Sequence, residues 1–515
     1  MGSFTNSRLP RRELLGLAAA VGPAVDPETG LPIRGKGPDV YTKLGARPYI
    51  NCTAITTIYG GSAQRPEVIE AIRQASYYHV NLDELMAAVG PRIARLLDAE
   101  AALVSSGAAG AVTCATLACV AGGDPEKIQQ VPDTRGLKNE VVIPSWSRIV
   151  YDQAIRSVGT RIVEVTTAAD LRKAFGPRTA MAAGLIHMGE AGNPFSLEKF
   201  VEAAHREGVP VLIDAADGTP HRPNPFLRRG VDLVAYSGGK IIRGPQTAGL
   251  LLGRKDLIAA AFTNSAPHHA FARAMKVSKE EIMGLLAAVE ALASKPDRSE
   301  EDELWRGWYR HIIGRASQVR GVTGRITEGE LEGNYVRMSI EWDPKLIGLT
   351  SGDVHDQLLN GKPRIMAHAG GEGHSLGIRA AALYPGDEKH VAERLYQIFR
   401  DAPKRKPPRA EPPPATVDVS GHWDLRIDYS VGSARHKLFL SMEEGQLRGE
   451  HTGRIAGGAI RGRVSDRSVS FASSLRYEGT SLRYQFSGSA SSEEMFGEVD
   501  LGEYGSGRWK AKRLM

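Results

Sequence analysis

Apolar positions in residues 40–400 follow two rhythms that alternate along the chain. Short, nearly continuous apolar runs occupy 101–104, 141–143, 161–165, 184–186, 209–213 and 233–236, the pattern of strands buried on both faces. Between them lie stretches with apolar residues at helical spacing, at 66–77, 82–97, 151–158, 197–207 and 279–292. Ile282, Leu285, Leu286 and Val289 mark one face of the last. Ser196 is placed to cap 197–207, with Lys199 at the third helical position, so no capping box forms. Strand and helix in alternation predict a mostly parallel sheet covered by helices. Residues 310–400 read as a smaller α+β lobe, with strands near 324–327, 335–340 and 362–366 and a helix at 388–399. From residue 417 onward the rhythm changes to period two, in HWDLRIDY, HKLFLSM, SVSFASSLRY and LRYQFSG, punctuated by glycines. Seven or eight hairpin-linked strands of this kind predict an up-and-down β-barrel.

The segment joining these regions is APKRKPPRAEPPPAT, 402–416, proline-rich and charged, which predicts a semi-rigid extended linker. The division expected is therefore a leader at 1–25, a large domain at 40–309, a small lobe at 310–400, the linker, and the barrel at 417–515. The leader is set apart by Arg11-Arg12, an apolar small-residue run over 14–25 and Ala18-Ala19-Ala20. This pattern predicts a twin-arginine export signal and a periplasmic or exported protein; the alternative is a terminal tail on a cytoplasmic enzyme.

Composition narrows the classes. Of 515 residues, 42% are hydrophobic and 24% charged, which excludes a disordered chain, a collagen and a coiled-coil rod. No apolar run reaches the roughly 18–20 residues of a membrane span. Lys and Arg number 65 against 59 Asp and Glu, a net +6 without blocks of like charge, so nucleic acid is not an expected partner. Cys52, Cys114 and Cys119 make neither a disulfide framework nor a CxxC metal site, and read as small buried residues.

Candidate chemistry concentrates in three segments. AYSGGKIIRGPQTAGLLLGRKDLI, 235–258, runs strand, Ser-Gly-Gly-Lys turn, Gly-Pro loop and second strand. Two glycines before Lys240 minimise backbone crowding around it, and partial desolvation favours the neutral amine a nucleophile needs. VLIDAADG, 211–218, puts Asp214 at the C-terminal end of a strand, where open α/β sheets bind ligands. SSGAAGAVTCATLA, 105–118, reads as strand, small-residue turn and helix, a phosphate cradle of free N–H groups. A lysine, a strand-end aspartate and a phosphate cradle in this order are what pyridoxal 5'-phosphate requires: a Schiff-base partner, a partner for the pyridine nitrogen and an anion site. Ser237-Gly-Gly-Lys240 also fits the S-x-x-K of serine acyl enzymes, but S-D-N and K-T-G are absent from the sequence.

Residues 45–400 resemble fold-type-I pyridoxal-phosphate enzymes of the selenocysteine-synthase-like (SelA-like) group, nearest in pattern to D-glucosaminate-6-phosphate ammonia lyases. The resemblance rests on DELMAAVGPRIARLLDAEAALVSSGAAGA, YDQAIRSVG, VPVLIDAADGTP, the SGGK-x3-GPQ block, RAMKVSKEEIMGLLAAVE and PRIMAHAGGEG. It implies Lys240 as Schiff-base lysine and base, and Asp214 as partner of the ring nitrogen. It further implies Ser106, Gly107, Ala108, Ser237 and Lys276 around the phosphate, and Arg364 on the substrate carboxylate. The group often carries a ring-stacking histidine before YDQAIR; here the stretch reads PSWSRIVYD, with Ser147 at that place and Trp146 beside it as the alternative stacker. His187, His268 and His269 read as structural or solvated.

The implied reaction is α,β-elimination with ammonia release from a hydroxy-amino acid or amino-sugar acid, in a homodimer or larger homo-oligomer. Racemisation, transamination and β-replacement begin at the same carbon and are the rivals. A non-catalytic scaffold with a ligand-binding β module is the rival outside this chemistry. Gly421-x-Trp423 and Arg513 resemble the paired signature of small lipocalin-like barrels.

Overall fold

The computed structural model describes residues 39–189, 192–295, 297–328, 335–369, 373–404 and 412–514. The twin-arginine segment and the middle of the proline-rich linker lie outside the described residues. Two compact units result, an α/β body and a barrel.

The body opens with a short strand β1 (Ile50–Asn51) and helices α1 (Pro66–Ala75) and α2 (Leu82–Leu97). Asn81 starts α2 by accepting the main-chain N–H groups of Asp83 and Glu84. Then follow β2 (Ala101–Ser106), α3 (Gly107–Ala121), β3 (Glu140–Pro144), β4 (Arg161–Val165) and β5 (Thr179–Leu185). Helix α4 (Leu197–Arg206), β6 (Val211–Asp214), β7 (Leu233–Ser237) and β8 (Ala248–Gly253) come next. The seven strands form one sheet in the order β2-β8-β7-β6-β5-β3-β4. Neighbours among β3 to β7 are parallel, while β8 runs antiparallel to both β2 and β7. The apolar runs are buried on both faces, as a doubly covered sheet demands. Ser196 caps α4 by accepting the Lys199 N–H, as its position predicts. The helix expected over 151–158 is much shorter, a turn at Val150–Asp152 leading into Gln153–Arg156. Ile149, just before it, is fully extended, and Gly159 ends the segment at φ +94°.

Helices α5 (Lys255–Thr263), α6 (Lys279–Ala293) and α7 (Ser299–Ala316) lead into the small lobe. There β9 (Val322–Thr327), β10 (Arg337–Trp342), β12 (His368–Ala369) and β13 (Ser375–Ile378) make an antiparallel sheet in the order β12-β13-β10-β9. Helices α8 (Ser351–Leu359) and α9 (Asp387–Arg400) accompany it, and β11 (Ile365–Met366) pairs in parallel with β1. This second core joins Trp305, Tyr309 and Ile312 of α7 to Ile50, Cys52 and Ile55. A cut at 309/310 therefore falls inside α7, and the lobe recruits the body's first strand.

The barrel has eight antiparallel strands, β14 (Gly421–Asp428), β15 (Ser433–Glu443), β16 (Gln446–Thr452), β17 (Gly457–Ser465), β18 (Ser468–Tyr477), β19 (Thr480–Ala490), β20 (Glu494–Asp500) and β21 (Ser506–Arg513). Each pairs with its chain neighbour and β21 closes on β14, the up-and-down order that period-two patterning predicts. Trp423, Trp509, Phe471 and Phe486 fill the interior. The Arg513 guanidinium sits 4.5 Å over Trp423, and its N–H groups donate to the carbonyls of Asp418, Ser420 and Ser492. Inside, His436 Nδ1 lies 2.8 Å from His451 Nε2, and His451 Nδ1 lies 2.7 Å from Ser473 Oγ.

Candidate functional site

The C-terminal ends of β2, β3, β6 and β7 share one edge of the sheet, and the sequence-predicted residues gather there. Ser106 ends β2 and precedes α3, yet its hydroxyl makes no capping bond to the helix. The first N–H groups of α3 therefore remain open to an anion. Gly107 turns at φ +67°, and close approach is required: a Cβ on Gly249 of β8 would stand 2.0 Å from the Gly107 carbonyl. Ala108 lies buried in that first turn. Small residues run through α3, and almost all of them are buried against the sheet.

Asp214 ends β6 and accepts the Ala216 N–H at 3.0 Å. Burial pushes its carboxyl up to about 6, while the Ala216 N–H and the Lys240 ammonium pull the other way and Asp217 adds to the rise. A buried carboxylate in this state lacks a full cationic partner.

Lys240 lies in a tight turn after β7. Gly238 N–H donates to Ala248 O at 2.8 Å and Gly244 N–H to Gly238 O at 2.8 Å. A Cβ on Gly239 would stand 2.4 Å from Gln246 Cα, so both glycines of the turn are demanded by crowding. The Ser62 hydroxyl donates to the carbonyls of Gly239 (2.9 Å) and Lys240 (2.7 Å). Arg243 is held at φ +59° by bonds to Glu301 and to Ala63 O. Ser237 closes β7, and its N–H donates to Ala216 O, which ties the two strand ends together.

Lys276 is exposed on the loop before α6. Its neighbour Met275 brings Sδ within 3.7 Å of Ser106 Oγ, so this loop lies on the α3 terminus. Trp146 follows β3 and packs on Phe195 with ring centroids 4.8 Å apart; its indole N–H is buried without a partner. Ser147 is taken up structurally: its hydroxyl accepts Leu185 N–H and lies 3.4 Å from Met188 Sδ. His268 is tied to Asp83 and to Phe262 O, and the His269 carbonyl accepts from Gln129. His187 is exposed in the turn after β5.

Arg364 directly precedes β11. Its Nε donates to Leu359 O at 2.8 Å and its Nη1 to Arg47 O at 2.6 Å. Arg379 lies directly after β13. It bonds the Tyr335 side chain, and its charge acts on His368, Tyr335 and Tyr309; burial first, then Arg379, pushes the His368 pKa down. Asp217 acts on both Tyr335 and Asp214, which links this cluster to the strand-end aspartate. A strand-end arginine leaves no periodic signature, though its place after an apolar pair in SLGIR was readable.

The pieces fit pyridoxal 5'-phosphate. A helix N-terminus without a side-chain cap suits a phosphate, and a buried carboxylate of raised pKa suits a protonated ring nitrogen. Among the described residues no cluster suited to a metal ion occurs, and no helix is long and apolar enough to cross a membrane.

Comparison with known proteins agrees with this geometry. The aminotransferase class-V family profile matches residues 146–268. The 5'-C-glycyluridine monooxygenase-decarboxylase of Streptomyces sp is 31% identical over 381 residues, 70% of this chain and 92% of that protein. The D-glucosaminate-6-phosphate ammonia lyase of Salmonella typhimurium is 31% identical over 341 residues, 64% of this chain and 89% of its own. A solved D-glucosaminate-6-phosphate ammonia-lyase structure superposes with a TM-score of 0.62 at 28% identity, covering 71% of this chain and 99% of that one.

Proposed function

We propose a function from one premise: the chain belongs to the aminotransferase class-V-like, SelA-like family of fold-type-I enzymes that includes D-glucosaminate-6-phosphate ammonia lyase. Its function is that of a pyridoxal-phosphate-dependent lyase, releasing ammonia by α,β-elimination from a hydroxy-amino acid or amino-sugar acid. The observation that carries this is Asp214, a buried carboxylate pushed up to about 6 at a strand end that faces Lys240. Bound pyridoxal 5'-phosphate supplies an electron sink that loosens the bonds at the substrate's Cα.

The chain's own residues do the rest. Lys240 Nζ would hold the cofactor and, when free, would serve as the base for the Cα proton. The Asp214 carboxylate would keep the ring nitrogen protonated. The α3 terminus, with Ser106, Gly107 and Ala108, would bind the phosphate; Ser237 and Lys276 would add a hydroxyl and a charge. Trp146 offers its ring and its unpartnered N–H at the same edge. We assign the substrate carboxylate to Arg379 and a main-chain brace to Arg364, because two of the Arg364 nitrogens are already spent on carbonyls. Departure of the β-hydroxyl as water leaves an enamine, and its hydrolysis gives a 2-keto acid and ammonia.

The test is the visible spectrum of the purified protein beside Lys240→Ala, followed by a screen of hydroxy-amino acids and amino-sugar acids for ammonia. A yellow band lost in the variant, with ammonia released, supports the reading. A protein that stays colourless with added cofactor overturns it. The monooxygenase-decarboxylase relative at equal identity favours a second reading, in which the Cα–carboxylate bond breaks. Release of carbon dioxide with uptake of oxygen, in place of ammonia release, would select it.

Exposed Ile58, Tyr77 and Tyr78 support self-association as a homodimer or larger homo-oligomer. The Arg11-Arg12 segment supports passage through the twin-arginine route, which carries folded protein; an intact N-terminus found only in the cytosol would refute it.

A further inference from the structure

A second polar site lies away from the cofactor residues. Glu301 of α7 is buried among three arginines. Arg243 Nη1 lies 2.7 Å from it, Arg65 Nη2 3.2 Å and Arg298 Nη2 3.6 Å. Arg298 Nη2 also reaches Asp302 at 3.2 Å. Burial opposes ionisation of Glu301, yet the arginines hold it down at about 2. Three guanidiniums thus share two carboxylates, and the buried cluster carries surplus positive charge. The surplus falls on Arg298, which is 8% exposed: its Nε and Nη1 are buried with no hydrogen-bond partner. Leaving such donors unpaired is costly unless something else meets them.

Arg298 lines a cavity of about 190 Å³ between the last turns of α2 and α6 and the loop after β6. Thr219, His221, Arg222 and Lys295 line it too, against one acid, Asp297. Lys295 pairs with Glu300 on its exposed side, 2.9 Å away, and Arg222 is exposed at the rim. At this size the cavity is smaller than the roughly 300–1,000 Å³ of pockets for drug-sized ligands, and suits a small oxyanion or the end group of a larger molecule. None of its lining residues belongs to the cofactor set.

We propose that this cavity is an anion site for a phosphate group, held by Arg298 at its base with Lys295 and Arg222 at its mouth. Free phosphate and a phosphate monoester share this chemistry. Several cations around one tetrahedral dianion offset the surplus charge together.

The test uses the full chain saturated with pyridoxal 5'-phosphate, so that the α3 terminus is filled. Inorganic phosphate is titrated by calorimetry, then glycerol phosphate as the monoester. The expected result is one phosphate or ester per chain, weakened at least tenfold in Arg222→Ala/Lys295→Ala, whose two exposed residues fold independently of the buried cluster. Arg298→Lys, which keeps the charge, weakens binding as well. Tighter binding of the ester identifies a phosphorylated metabolite as the ligand; binding of inorganic phosphate alone identifies the free ion. Absence of binding, or binding unchanged in the double variant, overturns the proposal. If the chain takes no cofactor, phosphate also binds at α3; that event is lost in Ser106→Asp and the Arg298 event is not, so failure of the two readings is distinguishable.

Discussion

Asp214→Asn separates what the strand-end aspartate costs the fold from what it gives the site. In the cofactor-free protein, burial raises this carboxyl from the ordinary 3.8 to about 6. Between these values the folded chain holds a proton that the unfolded chain has released. Stability therefore falls as pH rises through that window and levels off above it. A shift of about two units is worth about 3 kcal/mol, the upper bound on the penalty at pH 8. Asparagine removes the charge and keeps an oxygen for the Ala216 N–H. The variant, free of cofactor, should thus gain up to about 3 kcal/mol in urea unfolding at pH 8, and little at pH 3. Its affinity for pyridoxal 5'-phosphate should fall at the same time, since no anion remains for the ring nitrogen. A cofactor-free variant less stable than the native protein at pH 8 would refute the reasoning, because the carboxylate would then be stabilised by a partner.

Arg379→Lys should lower kcat/KM about 10–100-fold, mainly through KM, the worth of roughly 1.5–3 kcal/mol for a charge-assisted bond. Arg364→Lys should instead lower the urea midpoint with KM little changed. Gly249→Ala places a Cβ 2.0 Å from the Gly107 carbonyl, and should weaken cofactor binding measured by fluorescence, at a stability cost of roughly 1–3 kcal/mol. Gly123→Ala, with open space around its Cβ, should change neither. In the barrel, burial and then the His436 charge depress His451 from 6.5 to about 3. Barrel stability is full above pH 6.5 and should fall as pH drops toward 3, by at most about 5 kcal/mol, and His451→Gln should flatten that slope in calorimetry of the full chain.

Much of the fold was legible because two periods dominate the chain. Helix 82–97 carries its own start signal in Asn81, and the barrel strands bury alternate residues throughout, as in β15. Helix α7 escaped notice because its first turn is acidic and its buried side includes Glu301, beside buried Arg298, which an apolar count reads as surface. Helix α8 was missed although Thr350 and Asp353 form a capping box, since its apolar face is short. At the site, Lys240, Asp214 and Ser106 were legible because glycines and strand ends frame them. The contacts of Arg379 and Ser62 were not, since they join segments distant in sequence. Arg364 shows the same limit: a motif locates an arginine, but only packing shows which carbonyls its N–H groups meet.

The two Ser62 hydrogen bonds have a mechanical consequence. Residues 50–55 belong to the small-lobe core, and Ala63 N–H donates to Ala381 O in that lobe. Asn51 Nδ2 holds the carbonyls of Tyr59 and Gly61, which stiffens the stretch between. That stretch is a lever with its fulcrum in one lobe and its tip on the main chain of Lys240. A displacement of the lobe would then reach the main chain of Lys240, so lengthening the chain between residues 55 and 62 should loosen the turn that carries the lysine.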